Sequence, residues 1–136
     1  MLVLDASALV DLLLVRPFAG DIERHVAAHA PELHAPALLD VEVVSALRRV
    51  VSAGDAPALR AADAIADLLE LPIERHAHAP LMSRVWQLRE TLTAYDATYL
   101  ALAETLSDRP AALLTTDGSF ARAITASSDV EPLLVG

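Results

Sequence analysis

Four carboxylates occupy positions that disfavour an unpaired negative charge: Asp5, Glu42, Asp96 and Asp117. Asp5 closes the apolar run Leu2-Val3-Leu4, and Asp117 follows AALLTT, residues 111–116, so two of the four stand at the tips of segments that read as buried strands. Glu42 lies four residues from both Leu38 and Ala46, on or beside a helical stripe with Leu39, Val43, Leu47 and Val50. Asp96 heads a second stripe through Leu100 and Ala103. Singly, each has an ordinary explanation, because an aspartate after a strand or near a helix start is a good N-cap. Together they need more. Two carboxylates about 5 Å apart repel by roughly 3 kcal/mol at an effective dielectric near 20, and the chain has no Lys to neutralise them. A divalent cation would, and an all-oxygen donor set that retains water suits Mg²⁺, with Mn²⁺ as a substitute. Such a cation at strand ends serves phosphoryl chemistry, where it generates hydroxide and stabilises a charged transition state.

The elements that must position these groups alternate between strand and helix. Leu2–Leu4 leads through Ala6 and Ser7 into a helix over about 8–15, ended by Pro17 and Gly20. A helix over about 21–29, with Ile22 and Val26 on one side, is closed by Pro31. Residues 33–35 form a short strand, and Pro36 is placed at a helix start, where proline is tolerated. Helices follow over about 38–53 and 57–69, the second with Leu59, Ala62, Ile65, Ala66 and Leu69 as its inward face. A short strand around Ile73 precedes a helix over about 80–92, with Leu81, Val85, Leu88 and Leu92 in register. The helix begun at residues 93–96 runs to about 106, a strand spans 111–115, Phe120, Ala123 and Ile124 mark a helix, and 130–135 form a last strand. This order predicts an α/β protein, a three-layer α/β/α sandwich with a central parallel sheet. If the strands bearing Asp5 and Asp117 are neighbours, their carboxylates stand side by side.

Composition narrows the function classes. The chain of 136 residues is 54% hydrophobic but 4% aromatic, so its core must be built from Ala, Leu and Val, and the length suits one domain over residues 1–136. With no Cys, disulfides, thiolate nucleophiles and Cys-ligated metals are excluded. Asp5 and Asp11 interrupt the apolar N-terminus and no basic residue precedes it, which argues against a signal peptide and predicts a cytoplasmic protein with no membrane partner. The net charge of -9, with Arg supplying all ten cationic side chains, argues against binding nucleic acid by bulk charge, so any such function needs local Arg or a metal.

Four motifs recur here in order: DASALVDLL at the start, the Glu of LLDVEVVSALRR, YDATYLALAE, and LLTTDGSF. In sequence and spacing, over residues 1 to about 125, they resemble the PIN-domain nucleases, and the whole chain with its length looks like a VapC-type toxin of a bacterial toxin–antitoxin pair. The resemblance implies a single PIN-like nuclease domain in which Asp5, Glu42, Asp96 and Asp117 are the catalytic, metal-binding acidic quartet and Thr115 is the hydroxyl residue before the last acid. Ser7 and Thr116 are candidates to support waters on the metal. It further implies a Mg²⁺-dependent endoribonuclease, homodimerisation, and inhibition by a cognate antitoxin. Arg48 and Arg49, six and seven residues past Glu42, are candidates to reach RNA phosphates.

Other readings compete with this one. A haloacid-dehalogenase-like phosphatase also uses an Asp after its first strand but wants a second Asp two residues on, where Ser7 stands. Nucleotide-binding motifs of the GxGxxG and GxxxxGK[ST] kinds are absent. A receiver-like or catalytically inactive PIN-like binding module is disfavoured because all four acids are present, and the motifs alone leave DNA open as a substrate. Asp11 and Asp40 read as solvated helix positions that could rim the site. His25 and His29, at i and i+4, lack a third metal-ligand signal. His76 and His78 carry no catalytic signal, and Trp86 and Tyr99 read as core.

Overall fold

The computed structural model describes residues 1–106 and 110–136. Five strands form one sheet: β1 (Leu2–Leu4), β2 (Leu33–Pro36), β3 (Glu74–His76), β4 (Ala112–Thr115) and β5 (Pro132–Leu134), in the order β3-β2-β1-β4-β5 with every neighbouring pair parallel. β1 is therefore central and pairs with β4 along its whole length, Leu2 opposite Ala112 and Leu4 opposite Leu114. Its three residues are fully buried, which is why the run carries no polar residue until Asp5.

Among the described residues, seven α-helices flank the sheet: α1 (Ala6–Leu13), α2 (Ala19–His29), α3 (Leu38–Ser52), α4 (Ala58–Glu70), α5 (Met82–Gln87), α6 (Ala94–Thr105) and α7 (Gly118–Ser127). Helix α6 lies across β1, β2 and β4 with α5 beside it; α1 and α3 pack on one another and on β4 and β2, with α2 and α4 outside them. This is the expected α/β/α sandwich. Residues Ala97 to Ala103 of α6 are all buried, so the small and aliphatic side chains that replace aromatics let this helix seat closely on the sheet.

Several expectations are corrected. Pro36 ends β2 rather than starting a helix, at the strand's last residue, and the amide of Ala37 completes the pairing by donating to the His76 carbonyl. The helix expected over 80–92 is a 3-10 turn (Ala79–Leu81), α5, and further turns, although Leu81, Val85, Leu88 and Leu92 are all buried. On α4 the inward face is Ala61, Ala64 and Leu68. Leu59 and Leu69 are 81% and 65% exposed, because the small residues permit close approach to α1 and α3 and turn the larger ones outward. Trp86 is 67% exposed, with the Arg89 guanidinium 4.3 Å from its ring centre, rather than core; Tyr99 is fully buried as expected.

The end of α1 turns the chain back toward β1. Val15 adopts φ 52° and the Arg16 amide donates to the Asp11 carbonyl at 2.9 Å, a left-handed helix stop of the kind that ordinarily uses glycine. A β-branched residue in that conformation is strained by roughly 1–2 kcal/mol, and the Val15 side chain is largely exposed, so it gains little from burial. Val15→Gly is expected to raise Tm by about 2–4 °C, checked by thermal melting. No change, or a lower Tm, would show that the strain is relieved elsewhere.

Candidate active site

The pairing of β1 with β4 brings Asp5 and Asp117 to the same end of the sheet, where a cleft of about 440 Å³ opens. All four expected acids line it: Asp5 after β1, Glu42 from the second turn of α3, Asp96 from the first turn of α6 and Asp117 before α7. Asp11, Arg16 and Arg49 complete its charged lining, and Ser7 and Thr116 add hydroxyls.

Hydroxyl groups fix the strand tips. Oδ2 of Asp5 accepts from Thr115 Oγ1 at 2.7 Å and from Ser7 Oγ at 2.8 Å. Those hydroxyls are themselves acceptors, Ser7 Oγ from the Thr116 amide at 3.1 Å and Thr115 Oγ1 from the Asp117 amide at 3.0 Å. A latch of short polar side chains thus ties the two strand ends together. Ser7 and Thr115 grip the Asp5 carboxylate directly, while Thr116 contributes its backbone amide to the latch.

The capping explanation applies to one acid of the four. Asp117 Oδ1 accepts from the amides of Ser119 and Phe120 and from the Ser119 hydroxyl, so Asp117 caps α7 through one oxygen. Asp96 stands in the first turn of a helix whose cap is Thr93, and its own amide donates to Thr93 Oγ1 at 3.2 Å. Asp5 occupies the N-cap position of α1 without making a side-chain cap bond. Glu42 Oε1 and the Tyr99 hydroxyl are buried with no hydrogen-bond partner.

The electrostatics follow from this crowding. Burial pushes the Asp96 carboxyl up to about 6, reinforced by the charges of Asp5, Asp117 and Glu42. Burial also raises Asp5, against the opposing bonds from Thr115 and Ser7, and raises Glu42, against the Tyr99 hydroxyl that lies beside it outside good hydrogen-bond geometry, with the Asp5 charge adding to the rise. Asp117 alone is lowered, chiefly by its bond from Ser119. Three acids that resist ionising, one of them Glu42 with a buried oxygen that accepts no hydrogen bond, make a site that fits a hard divalent cation. Among the described residues, no three of these acids bring their oxygens within 4.8 Å of one another, so an ion here would keep several water ligands, as Mg²⁺ does.

Other candidates part company. Arg49 reaches the cleft and donates to Ser45 Oγ at 3.1 Å, whereas Arg48 lines a separate groove with Val44, Val51 and Ile65. Asp11, expected to be solvated, faces the cleft with its carboxyl raised by burial and Arg16 3.8 Å away; the i, i+4 spacing from Ser7 is the signal that places it there. Asp40 is paired with Arg75 at 2.9 Å rather than solvated. His29 Nδ1 lies 2.8 Å from the His25 carbonyl, a backbone contact rather than half of a metal grip.

Because Asp96 binds its proton more tightly in the fold (about 6) than in an unfolded chain (3.8), its ionisation destabilises the metal-free protein fully above pH 6, and the cost fades as pH falls toward 4. Asp96→Asn is therefore expected to raise Tm in chelator at pH 7.5, to keep about half of that advantage at pH 5 and to lose most of it by pH 4. Melting curves of both proteins across that range check it. An advantage that grows toward low pH would contradict the crowding.

Comparison with known proteins gives concordant findings. The family model for the PIN domain matches residues 2–124. Ribonuclease VapC12 of Mycobacterium tuberculosis is 36% identical over 131 residues, covering 96% of this chain and 98% of the relative. Ribonuclease VapC3 of the same organism is 41% identical over 125 residues, covering 89% and 85%. Among solved structures, PAE2754 from Pyrobaculum aerophilum superposes with a TM-score of 0.71 at 22% identity, over 96% of this chain and 81% of that one. Mycobacterium tuberculosis VapC20, a sarcin-ricin-loop-cleaving toxin, superposes at 0.69 and 18% identity, over 90% and 95%. Both superpositions show a shared fold.

Proposed function

Since the chain belongs to the PIN-domain family and, within it, to the VapC ribonuclease toxins, we propose that it is a Mg²⁺-dependent endoribonuclease, with Mn²⁺ able to substitute, whose catalytic acids are Asp5, Glu42, Asp96 and Asp117. The observation that carries this reading is the convergence of the four acids on one cleft, three of them with raised carboxyl pKa values and one with an unpartnered buried oxygen.

When bound, the cation supplies neutralising charge, polarises the scissile phosphate and acidifies an attacking water. The chain's own groups do the positioning. Ser7 and Thr115 hold Oδ2 of Asp5 in place, and the cap bonds of Asp117 engage its Oδ1. Asp96, ionising near neutrality while metal-free, is the acid whose charge state a cation changes most readily. Arg49 and Arg16, at the cleft wall, are the cationic groups placed to meet backbone phosphates. Arg48, on another groove, is not placed for that contact.

Purified protein freed of any antitoxin is expected to cleave total cellular RNA with Mg²⁺ and not with chelator. Asp5→Asn and Asp96→Asn should each lose activity by on the order of 100-fold or more while staying folded in chelator. Loss of stability with retained cleavage would return both aspartates to structural roles and remove the nuclease reading.

The partners proposed with this activity are a second copy of the chain and a cognate antitoxin. Their support is the exposed apolar side chains, Leu59 and Leu69 on α4 and Val44 on α3, beside a groove lined by Val51, Ala58, Ala62 and Ile65. Light scattering is expected to report a dimer; a monomer independent of concentration would remove that half of the proposal. No described helix is long and apolar enough to cross a membrane, and a cytoplasmic location is proposed with the toxin reading.

A further inference from the structure

We propose that His34, Glu74 and His76 form a second cation site, distinct from the acidic cleft in place and in chemistry, that takes Zn²⁺ or a similar borderline metal and clips edge strand β3 to β2. The topology creates it. His34 on β2 is in register with Glu74 on β3, and His76, two residues on, returns to the same face of the strand. His34 Nδ1 lies 2.9 Å from His76 Nε2 and 3.5 Å from Glu74 Oε2, and one donor atom from each residue falls within a 4.8 Å cluster.

These separations fit the metal. Ligands at the usual zinc distance of about 2.0–2.1 Å in tetrahedral array stand about 3.3 Å apart, so the nitrogen pair need open by only about 0.4 Å. Two imidazoles and one carboxylate are a common zinc donor set, whereas Mg²⁺ prefers oxygens alone, so the chain carries one hard site and one borderline site. The His34 side chain is 11% exposed and that of Glu74 67%, so the ion would enter from solvent on the Glu74 side and keep water in its fourth position. His78 does not join the cluster: its Nε2 accepts from the Leu38 amide at 2.9 Å and caps α3.

Three short residues pair β3 to the sheet on one side only, so this strand gains most from a clip. The test is a Zn²⁺ titration of the intact protein in millimolar Mg²⁺, which occupies an all-oxygen site, followed by histidine ring resonances and by melting. Of five histidines, only His34 and His76 should shift directly, saturating at one equivalent with an increase in Tm. His76→Ala and Glu74→Gln, changes on an exposed edge, should each weaken Zn²⁺ at least tenfold, while Asp96→Asn leaves it unchanged. Zn²⁺ binding that survives both edge variants, shifts at His25 or His29 instead, or loss only in Asp96→Asn would overturn the proposal. None of these outcomes bears on RNA cleavage, which the acidic cleft variants test separately.

Discussion

The burial of acids around the ends of two neighbouring strands is the constraint on which the rest of this site depends. Parallel pairing of β1 with β4 is indispensable to the sheet, because β1 is its middle strand and is buried on both faces. That pairing fixes Asp5 and Asp117 at one edge with no freedom to separate. The local answer is the latch of Ser7, Thr115 and two backbone amides, which supplies hydrogen bonds to one oxygen of Asp5 and joins the strand ends at the same point. It offsets part of the burial cost of Asp5 and none of that of Asp96, whose carboxyl has no comparable donors and ionises only near pH 6. The fold therefore holds a cluster of carboxyls whose chemistry fits a divalent cation.

Much of this was legible in the sequence because it rests on short-range pattern. An apolar run ending in Asp specifies a buried strand tip, and it occurs twice; alternation of strand and helix specifies parallel pairing. The inward acids on α3 and α6 followed from helical spacing, and both line the cleft. What escaped depends on packing between elements. On α4 the alternatives Leu59/Leu69 and Ala61/Ala64 are both periodic, and closeness to α1 and α3 selects the smaller residues for the inside. Trp86 read as core by size, yet α5 ends at Gln87 and leaves the ring outside under Arg89. The His34 cluster was invisible for a related reason, since its members are forty residues apart and meet only through the β2–β3 register.

Charge sets the terms on which so acidic a chain would meet a polyanion. With -9 overall, attraction for nucleic acid must be local, and the structure places Arg16 and Arg49 at the cleft wall. The remaining described arginines are used largely as structural ties: Arg75 binds Asp40 and the Ile73 and Leu68 carbonyls, Arg84 binds Glu104, and Arg60 reaches the Leu13 carbonyl. The cleft thus carries few cations, and the Arg49 charge only partly opposes the upward shift that burial gives the Glu42 carboxyl.

The charges lining the cleft limit what could approach it. Five carboxylates, those of the quartet and Asp11, face two guanidiniums, those of Arg16 and Arg49. Arg49 spends one donor on Ser45 Oγ at 3.1 Å. A polyanion approaching such a wall meets more negative than positive charge, and a divalent cation among the acids would reduce that imbalance without removing it.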